Sequence, residues 1–343
     1  MDSLSQITLG AAVSVACMGR RTAVWKAALV GAVAGTLPDL DALLDHGDPV
    51  RNMTLHRTES HALFWLTLAA PVLAFGVSRL LREAGQFRRW WLAVWLTLVT
   101  HPLLDLMTVY GTQLALPFTN HPFGVGSVFI IDPAYTLPLL LGTALTLARS
   151  RSVRAGGPGL GWNAAGLAVS TAYLAWGVAV QQHVRDLAEA SLAQAGLRVE
   201  RLLVTPAPLS TLVWRVVAIT PADDAYHEGF YALADRGRPI RFERHPRGEA
   251  LRAELQDLLS VERIAWFSHG FYRLREADGR AWITDLRMGQ EPYYSFDFAV
   301  ARRGEGGRWE PQVPEQVWGR VPIGPGLDWL GRRLTGRDVA PPR

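Results

Sequence analysis

Histidine and aspartate residues recur in the first third of the chain at spacings that suit metal ligands. His101 and Asp105 are four residues apart, so on an α-helix their side chains lie on one face, one turn apart. Imidazole nitrogens together with carboxylate oxygens favour Zn²⁺ or a comparable first-row ion. The pattern therefore predicts a site for one or two divalent ions, with Zn²⁺ favoured and Mn²⁺, Fe²⁺ or Mg²⁺ as alternatives. The predicted ligands are Asp39, Asp41, His56, His61, His101 and Asp105.

Asp39 and Asp41 follow Pro38, which predicts a break in the helix before them. On a continuous helix, residues two apart point away from each other, so a bent backbone is needed to aim both carboxylates at one ion. His56 and His61 are five residues apart, which suits one histidine in a loop and the other in the first turn of the next helix. Taken singly, each of these residues has a simple structural interpretation as a cap or a surface residue.

Three residues are predicted to act in catalysis. A divalent ion lowers the pKa of a bound water towards neutrality, and Asp39 or Asp132 is expected to serve as general base or to orient a ligand. Asp132 precedes Pro133, so a helix cap is its structural alternative. Arg57 suits a clamp on a substrate phosphate, with a lipid headgroup contact as its alternative.

Six apolar segments must position these residues, and they predict an α-helical, polytopic membrane bundle. A bilayer core of about 30 Å takes roughly 20 helical residues. The last four segments have that length and the first two are short. A histidine and a carboxylate inside the fourth segment are costly to desolvate, which indicates function. The segments are Leu4–Met18, Ala23–Leu37, Ala62–Leu81, Trp90–Tyr110, Val128–Ala148 and Trp162–Val184.

Basic residues predict the orientation of the bundle. Ten of them flank alternate connections, against two in the others, which is a positive-inside asymmetry. It places the loops 38–61 and 111–127, and everything after residue 185, on the extracytoplasmic side. The predicted ligands then all fall at the outer end of the bundle, although the orientation was derived from basic residues alone.

Composition changes near residue 185 and predicts two domains. Residues 1–184 would form the transmembrane metal-site domain, and 185–343 a small extracytoplasmic α+β domain with a Pro/Gly-rich tail from Pro311. Within it, Ile264–Ser268 is interpreted as a strand. The net charge of +4 does not indicate a nucleic-acid partner, because the excess base lies in short loops between apolar runs. The expected partner is the lipid bilayer, and the sequence leaves the oligomeric state open.

Several short motifs, in this order, resemble a known family. They are Gly35-Thr-Leu-Pro-Asp-Leu-Asp41, His56-Arg-Thr-Glu-Ser-His61, Thr100-His-Pro-Leu-Leu-Asp105, Thr108-Val-Tyr-Gly-Thr-Gln113 and Ile130-Ile-Asp-Pro133. They are similar to the bacterial membrane-bound metal-dependent hydrolases of the YdjM type, some of which are LexA-regulated. The resemblance implies a multi-pass protein of the bacterial inner membrane, with a divalent-metal hydrolase site built from the six predicted ligands. Thr58 stands where the family usually has glycine.

These observations predict a membrane-embedded hydrolase that attacks an ester or phosphoester, with a lipid or lipid-linked phosphate as the expected substrate. Two alternatives remain open. A metal or ion transporter would need a polar path that continues to the cytoplasmic side. A binding or scaffold protein with a structural metal would show closed coordination by four ligands.

Overall fold

A computed structural model describes residues 1–150, 159–220 and 224–343. Arg151 and Arg154, which contributed to the orientation argument, lie outside the described residues. All six apolar segments contain helices. The helices up to residue 194 are α1 (Ser3–Met18), α2 (Val24–Thr36), α3 (Pro49–Leu55), α4 (Leu63–Leu80), α5 (Phe87–Leu106), α6 (Pro133–Arg149) and α7 (Leu160–Gln194).

The expected six spans are corrected to two. Within the described ranges, only α4 and α7 are long and apolar enough to cross a membrane. Helices α1 and α2 have 16 and 13 residues, or about 24 and 20 Å, which falls short of a bilayer core of about 30 Å. Helix α6 has 17 residues. Helix α5 has 20 residues, but Arg88, Arg89, His101 and Asp105 lower its apolar character.

Helices α1 and α2 pack backbone to backbone through glycines. A Cβ atom built on Gly31 would lie 2.1 Å from the carbonyl oxygen of Gly10, and one on Gly35 would lie 2.8 Å from that of Gln6. Small residues at such crossings let helices approach closely in membranes. Since Asp39 follows directly after α2, this contact sets the position of one predicted metal ligand.

We expect Gly31→Ala to destabilise the helical region by about 1–3 kcal/mol, because the backbone it meets cannot move aside. The measurement is thermal unfolding of the purified protein. Gly76→Ala is the matched control, since its Cβ would meet nothing within 4 Å. Equal melting temperatures for the two variants would show that the close approach of α1 and α2 is not needed.

The C-terminal region is rich in β-structure, as expected for the second domain. Its longer strands are β1 (Arg201–Pro206), β2 (Val213–Thr220), β3 (Ala225–Ala232), β4 (Phe242–Pro246), β5 (Tyr272–Ala277), β6 (Arg280–Asp285), β9 (Asp297–Arg303) and β10 (Trp309–Val317). They form two antiparallel sheets, one with the order β1-β2-β3-β4 and the other with the order β10-β9-β6-β5. A two-stranded ribbon joins β7 (Gly289–Gln290) to β8 (Tyr293–Tyr294), and α8 (Glu249–Leu255) precedes β5.

Two sequence-based expectations for this region are wrong. Ile264–Ser268 is not a strand, because residues up to Phe267 belong to helix α9 (Leu259–Phe267), whose Val261, Ile264 and Phe267 are buried at helical spacing. The predicted tail from Pro311 is instead structured. Pro311 and Pro314 lie in the edge strand β10, where a register shift between Pro311 and Glu315 accommodates the missing donors.

Helix α10 (Ile323–Leu334) occupies the remainder of the predicted tail. Its glycines and proline weaken the local helix signal, so contacts with the sheet must stabilise it. Trp329 packs edge-to-face on Phe230, with ring centroids 5.1 Å apart. Arg333 donates to Asp235 at 2.6 Å in a buried ion pair.

The chain forms two compact units. The first contains residues 1–44, 57–178 and 208–210, and the second contains 45–56, 179–207 and 211–343. Helix α3 therefore belongs to the second unit, where Arg263 of α9 donates to Thr54. The sequence-based boundary at residue 184 lies inside α7, which runs through both units.

Candidate metal centre

Four of the predicted ligands converge in the first unit: Asp39, His61, His101 and Asp105. Asp39 lies on a 3₁₀ turn, Pro38–Leu43, that follows α2, and His61 ends a second 3₁₀ turn, Glu59–His61, before α4. His101 and Asp105 lie one turn apart on α5. One potential ligand atom from each of the four residues lies within 4.8 Å of the others.

Five of the six distances between these atoms are close to those of a tetrahedral site. His101 Nε2 lies 3.2 Å from His61 Nε2. Each of the two Nε2 atoms lies 3.4 Å from Asp39 Oδ1 and 3.4 Å from Asp105 Oδ2. Metal–ligand bonds of about 2.0–2.1 Å in a tetrahedron place neighbouring ligand atoms about 3.3–3.4 Å apart. The geometry of the four side chains thus fits one first-row divalent ion.

Asp105 presents one oxygen to this centre and engages the other elsewhere. Oδ1 accepts hydrogen bonds from the amino group of Met1 and from Gln6 Nε2 at 3.2 Å, and Arg57 lies 3.2 Å away. Oδ2 is buried and has no hydrogen-bond partner among the described residues. An unsatisfied buried carboxylate oxygen is costly, and a cation at the centre would remove that cost.

Hydrogen bonds orient both imidazoles so that Nε2 faces the centre. His101 Nδ1 lies 2.7 Å from the carbonyl oxygen of Gly35, which can only accept. Ser60 Oγ donates to Asp41 Oδ2 at 2.5 Å, so it accepts from His61 Nδ1 at 2.9 Å. The Nε2 lone pairs are then available to a metal, and such supporting contacts are typical of histidine ligands.

Asp41 and His56, which the sequence predicts as ligands, are not among the four converging residues. Asp41 Oδ2 lies 3.5 Å from His61 Nδ1, on the side of the ring away from Nε2, and so orients this histidine. His56 is the C-cap residue of α3 and belongs to the second unit. A backbone break after α2 was expected, but it aims only Asp39 at the centre.

Arg57 and Asp132 also lie outside the group of four. Arg57 is buried beside Asp105 and stacks on Tyr110, with 4.8 Å between its guanidinium and the ring centroid. That guanidinium is engaged with a ligand rather than extended towards a substrate phosphate. Asp132 is the N-cap of α6, accepts from Ala134 N at 3.1 Å and from Tyr173 at 2.8 Å, and has a pKa raised by burial.

The contribution of the Gly35 carbonyl was not predicted, since no pattern in a sequence marks a backbone acceptor. The contact of Ser60 with His61 was not predicted from the sequence either. The role of Gln6 could have been predicted, because it is an amide inside an apolar helix at the end of the bundle where the ligands lie.

The backbone of Arg57 is in the left-handed region (φ 67°), and its N–H donates to Asp41 at 2.9 Å.

Charges around the site change the pKa of two members. Burial alone would disfavour a charged His61, but contacts with Asp105, Asp39 and Asp41 outweigh it and raise its pKa to about 9. Burial likewise opposes the charge on Asp39, yet contacts with His101 and His61 lower its pKa below the ordinary range. The metal-free centre therefore holds a proton at neutral pH, and a metal ion must displace it.

Because of that proton, the apparent metal affinity is expected to rise about tenfold per pH unit between pH 7 and 9 and to level off above pH 9. Titration calorimetry in buffers of different ionisation enthalpy would report one proton released per ion. Asp41→Asn removes a charge that raises the pKa of His61, so it should move the plateau to lower pH. A flat affinity between pH 7 and 9 would contradict this assignment.

The centre is open on one side only. The side chains of His61, His101 and Asp105 are at most 1 % exposed, whereas that of Asp39 is 24 % exposed. Solvent or a substrate can therefore approach along Asp39. Catalytic zinc sites have three protein ligands and an open fourth position, so this centre would match them only if Asp39 leaves its position to water.

Fold and site together define the class: a largely helical membrane protein with a candidate metal centre between its helices, followed by a β-rich domain. Residues 1–184 match the family described as "YdjM inner membrane protein". This match covers more than half of the chain, which therefore belongs to that family, and the resemblance inferred from the motifs is confirmed. The family description also agrees with the expected inner-membrane location.

One relative is the uncharacterized protein YfhP of Bacillus subtilis. It is 26 % identical over 158 residues, which make up 43 % of this chain and 47 % of the relative. The match thus spans about half of the length of that relative. No solved structure matches the chain.

Proposed function

We propose that the protein is a divalent-metal-dependent hydrolase of the inner membrane. The observation that carries this proposal is the difference in exposure within the tetrahedral centre: three ligands are buried and Asp39 faces solvent. In this proposal His61, His101 and Asp105 hold the ion, and Asp39 acts on the open side. Zn²⁺ is the expected ion, with Mn²⁺, Fe²⁺ or Mg²⁺ as alternatives, because two imidazoles and two carboxylates suit a first-row metal.

A bound divalent ion would supply Lewis-acid activation of water. Asp39 is ionised at neutral pH, since contacts with both histidines outweigh burial and lower its pKa, and its carboxylate would orient an attacking water or accept its proton. Asp41 and Ser60 keep His61 in the tautomer that leaves Nε2 free. Arg57 and Gln6 hold Asp105 Oδ1, so that Oδ2 faces the centre.

A lipid or lipid-linked ester or phosphoester is the proposed substrate. The 3₁₀ turn that carries Asp39 also carries Leu40 and Leu43, and Leu44 follows it; these three side chains are 53 %, 81 % and 61 % exposed. Apolar side chains at the open side of a polar centre suit a substrate that has both a hydrocarbon part and a polar head.

The proposed orientation of the helical region follows from its basic residues. Arg20, Arg21 and Arg82 in the connections, with Arg88 and Arg89 at the start of α5, lie at one end of α1, α2, α4 and α5, and the metal centre lies at the other end. With the basic end in the cytoplasm, the centre lies at the outer face of the membrane.

Metal removal tests the proposal directly. The full-length protein, purified in detergent, would be analysed for bound metal and assayed against a panel of phospholipids and lipid-linked phosphates. We expect about one ion per chain, loss of hydrolysis in a strong chelator, and recovery when Zn²⁺ or Mn²⁺ is added back. Hydrolysis that continues in the metal-free protein would refute the mechanism.

A structural metal in a binding protein is the second candidate. The observation in its favour is that four protein ligands already complete a tetrahedron, which is typical of structural zinc. The two candidates differ in the role of Asp39: in a structural site it is a ligand, whereas in the hydrolase it acts on water.

A further inference from the structure

A second polar feature of the first unit lies at the opposite end of its helices from the metal centre. It is an open depression with a volume of about 450 Å³, lined by Arg20, Arg21, Gly85, Gln86 and Arg89, whose three arginines are exposed; we call it the arginine pocket. This volume lies within the range of about 300–1,000 Å³ that is usual for small-ligand sites. Arg89 and His101 are twelve residues apart on α5, or about 18 Å along its axis, so the pocket is separate from the metal centre.

The arginines of the pocket carry uncompensated charge. No ion pair involves Arg20, Arg21 or Arg89 in the part of the chain that the structure describes. The acid nearest in sequence, Glu83, is already engaged: Lys26 lies 3.3 Å from it and Thr22 and Trp90 donate to it at 2.6 and 3.0 Å. No carboxylate is among the lining residues. Three guanidinium groups around one depression therefore favour the binding of an anion.

The surroundings indicate where that anion comes from. Trp25 and Trp91 lie within a few residues of the lining arginines and are 58 % and 43 % exposed. Exposed tryptophans at the ends of apolar helices are typical of the level of the lipid headgroups. Basic pockets between helices on the cytoplasmic side commonly bind anionic headgroups.

We propose that the arginine pocket binds a phosphate group, and that this phosphate belongs to the headgroup of an anionic phospholipid. Guanidinium groups match phosphate oxygens in a bidentate manner, and Gln86, whose Nε2 donates to the Arg21 carbonyl at 2.9 Å, holds the α1–α2 connection against the turn before α5. The pocket would thereby anchor the basic end of the bundle in the leaflet opposite to the metal centre.

The test uses the full-length protein in detergent, with lipid binding measured by native mass spectrometry. Phosphatidylglycerol and phosphatidylcholine with the same acyl chains are the two lipid probes, and sodium phosphate is the soluble probe. We expect phosphatidylglycerol to bind the wild type at least tenfold more tightly than phosphatidylcholine. Arg21→Gln with Arg89→Gln should weaken this binding about tenfold or more, since each basic residue near an anionic surface contributes roughly fivefold.

Gly85 provides a second variant that removes no arginine. A Cβ on Gly85 would meet nothing within 4 Å, so a side chain is tolerated there. Gly85→Glu places a carboxylate in the pocket and should weaken phosphatidylglycerol binding, whereas the isosteric Gly85→Gln should not. Arg88→Gln, compared with the single variant Arg89→Gln, is the matched charge control, because each removes one charge and Arg88 is exposed next to Arg89 but does not line the pocket.

Each outcome decides the proposal. If phosphate alone binds as tightly as the lipid and depends on the same arginines, the phosphate site stands but its source is soluble. If Arg88→Gln weakens binding as much as the pocket variants, or Gly85→Glu has no effect, the pocket is not the site. Unchanged metal content in every variant would show that the fold is intact, independently of any hydrolase activity.

Discussion

His101→Ala is expected to abolish metal binding at micromolar metal and to eliminate hydrolysis. His101 Nε2 lies 3.2–3.4 Å from one potential ligand atom of each of the other three residues, so its loss opens the tetrahedron. If zinc sites bind with about 10–16 kcal/mol, one of the three proposed ligands accounts for about 3–5 kcal/mol, which is more than a hundredfold in affinity. Metal analysis after dialysis and a hydrolysis assay would measure both effects.

Two further variants control this experiment. His121→Ala removes an exposed histidine of the loop 111–127 and should leave metal content unchanged. His101→Gln fills the space of the imidazole and can still donate to the Gly35 carbonyl, so it separates loss of the ligand from loss of packing. Full metal content in both His101 variants would contradict the proposed centre.

Asp39→Asn is expected to lower hydrolysis by about 10²–10⁴-fold, the usual contribution of a general base. Metal content should change little, because His61, His101 and Asp105 remain and are almost fully buried. The substitution preserves the shape of the side chain and removes only its charge. Metal stoichiometry and the hydrolysis rate would be measured on the same preparation.

The comparison with His101→Ala distinguishes the two candidate functions. A hydrolase predicts that Asp39→Asn separates metal binding from activity. A closed structural site predicts that Asp39→Asn loses metal as His101→Ala does. Wild-type hydrolysis in Asp39→Asn, with metal bound, would remove Asp39 from the mechanism.

Much of the candidate site was predictable because the signals are local. His101 and Asp105 share a face through the helical repeat of α5, and a charged pair inside an apolar segment indicates function without any knowledge of its neighbours. Pro38 predicted the break in the helix after α2, and Asp39 lies on the 3₁₀ turn that follows this break. Segment hydropathy located the helices α1, α2 and α4–α6 and the start of α7 within a few residues, whereas α7 continues past the predicted end at Val184 to Gln194.

Other features depend on long-range contacts. Strand β10 contains two prolines and helix α10 contains three glycines, so both resemble an irregular tail in sequence. Helix α10 is stabilised by contacts with residues distant in sequence, such as Phe230 and Asp235. The number of spans was overestimated, because apolar segments of 13 to 17 residues resemble membrane helices in composition but not in length.

By itself, the sequence determined which residue types are available to hold a metal, which helices carry them, and the family to which the chain belongs. Only the tertiary structure decided which of them meet: Asp39 faces the centre while Asp41 turns to His61 Nδ1, and His56 belongs to the other unit. The physical reason is that coordination requires atoms within a few ångströms. Such distances follow from the path of the backbone through two 3₁₀ turns and a left-handed Arg57, and not from spacing along the chain.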